Sequence, residues 1–304
     1  MARSALFSQQ QAGGMFAIED SSRTTGARFF VHSGTGTDGA GYGQNPDSPF
    51  ASISYALTKC TDSKNDVIYA MPGHAESIAA GATLACSVIG VTILGLGNGS
   101  NRPSISFAGT DSVIAVSAAS VLIKNVRLLA GIDEVVKAIS VTAAFCTLDA
   151  VDVSETTSKQ FIQFCLTSAA ATDLVIQNCV HHQSTASASN AIWIQLIGAD
   201  RAKILNNKIF ITTTSNAASN VIESDTTAPV NILLADNIIV QLGGTATIPI
   251  KLVAGTSGFA VRNTVASQKT AIAGSIALAS CYGANNYAGH VVNTNGLLEP
   301  VVDA

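Results

Sequence analysis

Apolar residues in this chain alternate with small or polar ones in short bursts, and the bursts themselves recur. The segments VTILGLG from Val91, VLIKNVR from Val121, CTLDAVD from Cys146 and LVIQNCV from Leu174 share one pattern. AKILNNK from Ala202, ILLADNI from Ile232 and FAVRNTV from Phe259 continue it. Each alternates with period two and then meets a small or amide residue: Gly95, Asn125, Ala150, Asn178, Asn206, Asp236 and Asn263, at intervals of 30, 25, 28, 28, 30 and 27. A second alternating stretch follows each turn, and a third precedes the next unit. Period-two alternation marks strands rather than helices. Strands this short need neighbours to bury their apolar face. Three strands every 25 to 30 residues therefore predict a solenoid whose coils stack in parallel, about 4.8 Å apart.

The turn column has a physical cause. A sharp corner between two strands needs a residue in the left-handed region, which Asn and Asp tolerate better than other non-glycine residues. Stacked amides can also bond from coil to coil. Gly95, Asn125, Asn178, Asn206, Asp236 and Asn263 are thus expected to line one edge, with Ala150 as the weakest member. Ahead of the first coil, PDSPFASISYALTKC places Phe50, Ile53, Ala56 and Leu57 at helical spacing after Ser48 and Pro49. This predicts a short amphipathic helix over the open end of the solenoid.

Composition narrows the picture. Of 304 residues, 12% are charged and 47% hydrophobic, and the formal net charge is −4. No basic block offers a footprint for nucleic acid, and no apolar run approaches the length of a membrane span. The first 28 residues contain no run that reads as a signal peptide. Six cysteines, Cys60, Cys86, Cys146, Cys165, Cys179 and Cys281, lack metal-site spacing and read as reduced core thiols. No cofactor or metal is expected.

The opening SGTGTDGAGYGQNPDSPFASISYAL, followed by NDVIYAMPGHAESI, resembles right-handed parallel β-helix proteins of the pectate-lyase-like superfamily. The matching residues are Pro49, Phe50, Ile53, Ala56, Asp66, Ile68, Pro72, Gly73, His74 and Glu76. The resemblance implies an all-β, single-stranded right-handed parallel β-helix of about seven or more coils with a short N-terminal capping helix. It implies little about chemistry, because that superfamily holds lyases, hydrolases, epimerases and structural proteins. The first coil and the ending NTNGLLEPVVDA also resemble compact β-helix proteins that tailed bacteriophages carry in their virions.

Candidate chemistry is sparse. His74 and Glu76 read as structural groups of the first turn. In CVHHQS, His181 and His182 point to opposite faces and cannot chelate one metal. Hydrolases of this fold use paired carboxylates as acid and base; lyases gather several aspartates around calcium. The one tight acidic cluster is Asp149, Asp152 and Glu155, the fallback catalytic set. Trp193, flanked by Ile192 and Ile194, is expected outward as a sugar platform or subunit contact.

These readings divide the chain into an N-terminal arm (1–28), a capping helix with first strands (29–78), the β-helix (79–280) and a C-terminal cap or tail (281–304). Phe7, Met15, Phe16 and Ile18 in the arm, and Leu297 and Leu298 near the end, are expected to bind partners. Few outward charges suggest self-association, with a trimer favoured. The phage resemblance implies a non-enzymatic structural virion protein: a capsid decoration or head-fibre component that contacts the major capsid protein or other virion proteins. The alternatives are a polysaccharide depolymerase, lyase or hydrolase, and a tail-associated glycan-binding adhesin on the same fold.

Overall fold

The computed structural model describes residues 26–156, 159–183, 192–212, 220–243, 248–268, 274–290 and 296–299. Its strands form three sheets, each coil giving one strand to each in turn. Sheet 1 has ten strands, from Arg28–Val31 to Ser280–Ala284. Sheet 2 has ten, from Ala75–Ile78 to Asn286–His290 and Gly296–Glu299. Sheet 3 has eight, from Thr83–Cys86 to Ile276–Ala277, so eight full turns lie among the described residues. Neighbouring coils pair in parallel, and among the described strands only Gly296–Glu299 runs antiparallel, against Asn286–His290. The chain is a parallel β-helix, as the alternation predicts. Its register already begins at Arg28↔Val67 and continues past residue 280, where Ser257–Val261 pairs with Ser280–Ala284.

The core is built from columns of like residues. In sheet 1, Ile68, Ile93, Ile123, Leu148, Ile176, Ile204 and Leu234 stack in register, all essentially buried. Sheet 3 stacks Ile114, Ile139, Cys165, Ile194, Ile222, Ile250 and Ile276. Each such side chain contributes about 1.5–3 kcal/mol by burial. Most neighbours above and below are isoleucines, and β-branched chains interlock well at the strand spacing.

Two features of the turn column differ from expectation. Positive φ falls at Asn125, Asn178, Asn206 and Asp236, and also at Ala150 and Arg262. Gly95 is outside this set. It ends the strand Thr92–Gly95, where any side chain would collide with the Asn125 carbonyl. Asn263 lies one residue past the corner and points inward. There it joins Asn207, Asn237 and Asn286, all with no exposed surface, in a second, internal ladder. Each amide nitrogen donates to the next coil's Oδ1: Asn207 to Asn237, Asn237 to Asn263 and Asn263 to Asn286, all at 2.9 Å. Each Oδ1 also accepts a backbone N–H from the coil before, beginning with Cys179 N–H to Asn207 Oδ1 at 2.9 Å. Burial of four amides is tolerated because these donors and acceptors are matched.

The capping helix is shorter than predicted. It spans Ile53–Leu57, with Ser52 as N-cap. Residues up to Phe50 are held extended instead: Phe50 N–H donates to Phe30 O, and His32 N–H donates to Phe50 O. Phe7, Met15, Phe16 and Ile18 lie outside the described residues, as do the side chains of Leu297 and Leu298.

Candidate functional site

His74 and Glu76 form the seat of the capping helix. Glu76 Oε2 accepts Ile53 N–H at 2.7 Å and Oε1 accepts Ser54 N–H at 3.2 Å, so the carboxylate ties down two free amides of the first helical turn. His74 Nδ1 accepts Ser33 N–H at 3.0 Å. The proton therefore sits on Nε2, 3.3 Å from Glu76 Oε2. The pair locks the end of the solenoid.

The three acids expected together go to three different places. Asp149 ends a sheet 1 strand facing outward, 2.9 Å from Lys124 Nζ and 2.8 Å from Asn178 Nδ2. Partial burial pushes its carboxyl up, but the Asn178 amide and the Lys124 ammonium outweigh that and hold it below the usual carboxylate range. Asp152 begins the adjoining sheet 2 strand, where one oxygen takes both Arg127 Nε at 2.9 Å and Arg102 Nη1 at 3.3 Å. Glu155 turns inward. Its Oε1 lies 3.1 Å from His181 Nε2 and accepts Phe161 N–H at 3.0 Å, within the core. Two carboxylates committed to cations and one sealed inside do not make a shared catalytic centre.

The aromatic and histidine expectations also shift. Trp193 is fully buried and stacks on Phe164 with centroids 5.2 Å apart. A bulge causes this: the N–H groups of both Trp193 and Ile194 donate to Val221 O. The extra residue breaks the alternation and turns the indole inward. His182 faces out beside Phe210, with centroids 6.3 Å apart, while His181 occupies the inner column of sheet 2 between the aliphatic Val153 and Ile209.

Thiols add no reactivity. Cys86, Cys146, Cys165 and Cys179 are buried. Burial is the main cause that pushes Cys86 and Cys179 up to about 12, far from the range of a nucleophilic thiolate. Among the described residues, no three His, Cys, Asp or Glu side chains are grouped to share a metal.

A different carboxylate pair stands on the outer face of sheet 3. Glu223 lies in the strand Ile222–Ser224 and Asp225 follows it. Ser224 between them is buried and bonded to Thr256 Oγ1 at 2.9 Å, so both acids project outward. Glu223 Oε2 accepts Asn220 Nδ2 at 2.7 Å. Burial, and then the charge of Asp225, push the Glu223 carboxyl above the usual glutamate range. Asp225 Oδ2 accepts Gln195 Nε2 at 3.0 Å, and Gln195 Oε1 accepts Gln163 Nε2 at 3.2 Å. Lys251 sits opposite Glu223 on the next coil. Sequence reading passed over this site, yet a signal was there: 223 and 225 are the only acidic positions in the chain spaced two apart.

No family model and no curated protein sequence matches the chain. Among solved structures, a rhamnogalacturonan lyase aligns over 80% of this chain and 69% of its own, at 9% identity and a TM-score of 0.52. A GH136 lacto-N-biosidase from Eubacterium ramulus aligns over 87% and 68%, at 9% identity and a TM-score of 0.43. The expectation of a non-enzymatic chain is corrected by the first of these, which is an enzyme by name. At this identity the likeness establishes the fold: the chain is a parallel β-helix.

Proposed function

We propose that this chain acts on a polysaccharide held across the outer face of sheet 3. One observation carries the reading: Gln195, Glu223 and Lys251 stand in register on successive coils of the outer face, with Asp225 bonded to Gln195 beside them. Amides and carboxylates of this kind match the hydroxyls of a sugar chain, and a wall of stacked coils matches its length. The name of the aligned lyase supports the same class of ligand. Electrophoresis through gels cast with a panel of neutral and acidic polysaccharides tests it. Retardation by at least one polysaccharide, weakened in Gln195→Ala and Lys251→Ala, is the expected result. Unretarded migration in every gel would reject the reading.

A second reading concerns where the protein works. Sheet 2 exposes Val180, Phe210, Ile238, Leu242 and Tyr287 on its outer face, interspersed with Lys208 and Thr264, and this apolar exposure favours burial against sister subunits. We propose a homo-oligomer, a trimer in the simplest case, carried on a phage particle and anchored by the terminal segments to the major capsid protein or another virion protein. Light scattering on the purified protein should give a mass near three chains, falling toward one in Phe210→Glu/Ile238→Glu. A monomeric wild type would reject the assembly.

A further inference from the structure

We propose that Glu223 and Asp225 are the general acid and the general base of a glycoside hydrolysis performed on the outer face of sheet 3. The inference rests on the polysaccharide reading and adds to it the reaction class and the catalytic pair. Nothing in the likeness to solved enzymes assigns these residues; the local geometry does.

The two acids have unequal surroundings, as acid–base division of labour requires. Glu223 is partly buried beside a second carboxylate, and it accepts a hydrogen bond from the Asn220 amide. Such a group keeps its proton to higher pH than an ordinary glutamate and can hand it to a leaving oxygen. Asp225 is fixed by two N–H donors: Gln195 Nε2 at 3.0 Å on one oxygen and Thr226 N–H at 2.8 Å on the other. It is oriented as an acceptor, which suits a base. The chain Gln163–Gln195–Asp225 steps across three coils and holds that orientation from outside the strand.

An independent observation points to a ligand. Asn220 is 4% exposed. Its Nδ2 is committed to Glu223, and its Oδ1 is buried without any hydrogen-bond partner. A buried acceptor left unpaired costs roughly 1–3 kcal/mol. The Nδ2 bond holds this amide next to the Glu223 carboxyl, and a sugar hydroxyl reaches Oδ1 once the side chains covering it move aside.

An acid and a base, with neither carboxylate as nucleophile, perform a single displacement, with a water between the base and the anomeric carbon. The Asp225 carboxylate takes a proton from water, and the water oxygen bonds to the anomeric carbon. The glycosidic C–O bond breaks, and the Glu223 proton passes to the departing oxygen. Proton exchange with solvent resets both groups. The product carries inverted anomeric configuration and no double bond.

The test uses full-length wild type, Glu223→Gln, Asp225→Asn and, as a control outside the site, Asp149→Asn. Each is checked for native circular dichroism and assayed for new reducing ends on the polysaccharide panel. We expect cleavage by wild type and Asp149→Asn, and a loss of roughly 10²–10⁴-fold in the other two. Glu223→Gln should recover on an aryl glycoside of the released sugar with a good leaving group, which needs no acid; Asp225→Asn should not. NMR of the first product should show inversion. Folded variants that cleave at the wild-type rate would overturn the pair while leaving the polysaccharide reading intact. Unsaturated product ends would overturn hydrolysis in the same way. A wild type that binds polysaccharide but never cleaves it would overturn the catalytic assignment alone, and one that neither binds nor cleaves would end both.

Discussion

Asn207 and Asn237, one coil apart and without exposed surface, are joined by an amide hydrogen bond of 2.9 Å, Nδ2 to Oδ1. The same Asn207 nitrogen donates to Ile176 O at 3.1 Å, and Asn237 repeats the pattern with Ile204 O at 2.8 Å. The internal ladder thus ties side chains and main chain of four coils into one network. Asn237→Ala removes one rung and leaves buried donors and acceptors unmatched on both sides. We expect it to cost roughly 1–3 kcal/mol in urea denaturation. Asn206→Ala, on the solvent side of the same corner, should cost less, since water replaces its bond to Asn178.

Ala150 is the one alanine in the left-handed corner column, at φ 53°. For a residue with a Cβ and no local hydrogen-bonding group, that conformation costs roughly 1–2 kcal/mol. Ala150→Asn supplies the residue type found at 125, 178 and 206. It should raise stability by about 1 kcal/mol and the thermal midpoint with it. An unchanged or lower midpoint would mean that the corner is not strained.

Much of this was legible in the chain and some was not, for physical reasons. Period-two alternation and the recurring amide reveal the coils because burial and left-handed turns act on single residues. Asn263 falls in the inner ladder and not the expected outer one because Arg262 takes the turn and pairs with Asp236, its Nε 2.6 Å from Oδ1. The doublets at 206–207, 236–237, 262–263 and 285–286 carry the correct reading, an outer corner residue followed by an inner Asn. Trp193 defeats alternation because a bulge adds a residue to the strand. Glu155 turned inward because His181, 26 positions on, waits in the next coil. Such cross-coil partners are invisible until the register is known, and the Glu223 site depends on them too.

The buried Glu155–His181 pair places His181 between aliphatic neighbours, with the two side chains 0% and 3% exposed. Removing either partner alone leaves the other sealed in the core without its bond. His181→Val or Glu155→Val alone should each destabilise by about 3–5 kcal/mol. The double replacement should recover part of that loss: Val153 and Ile209 above and below show that the position of His181 accepts an aliphatic side chain, while Phe161 N–H stays without its Glu155 acceptor. Additive losses in the double-mutant cycle would refute the coupling.

Burial and the Asp225 charge raise the Glu223 carboxyl in the folded state. The sign follows from linkage: the folded form binds the proton more tightly than the unfolded form, so the group favours folding at low pH. That contribution is complete below the ordinary glutamate range and is lost as pH rises through the raised value. Glu223→Gln should therefore be more stable than wild type at neutral pH, and the advantage should vanish in acid. Equal pH dependence of the two proteins in urea denaturation would show that the carboxyl is not perturbed.

The most direct measurement is a crystal structure of Glu223→Gln soaked with fragments of whichever polysaccharide the protein retains. We expect a sugar ring seated over sheet 3, with a hydroxyl on Asn220 Oδ1 and a glycosidic oxygen within hydrogen-bonding distance of residue 223. A saccharide ordered instead at the Asp149–Asp152 corner or on sheet 2, with the sheet 3 face bare, would contradict the proposal.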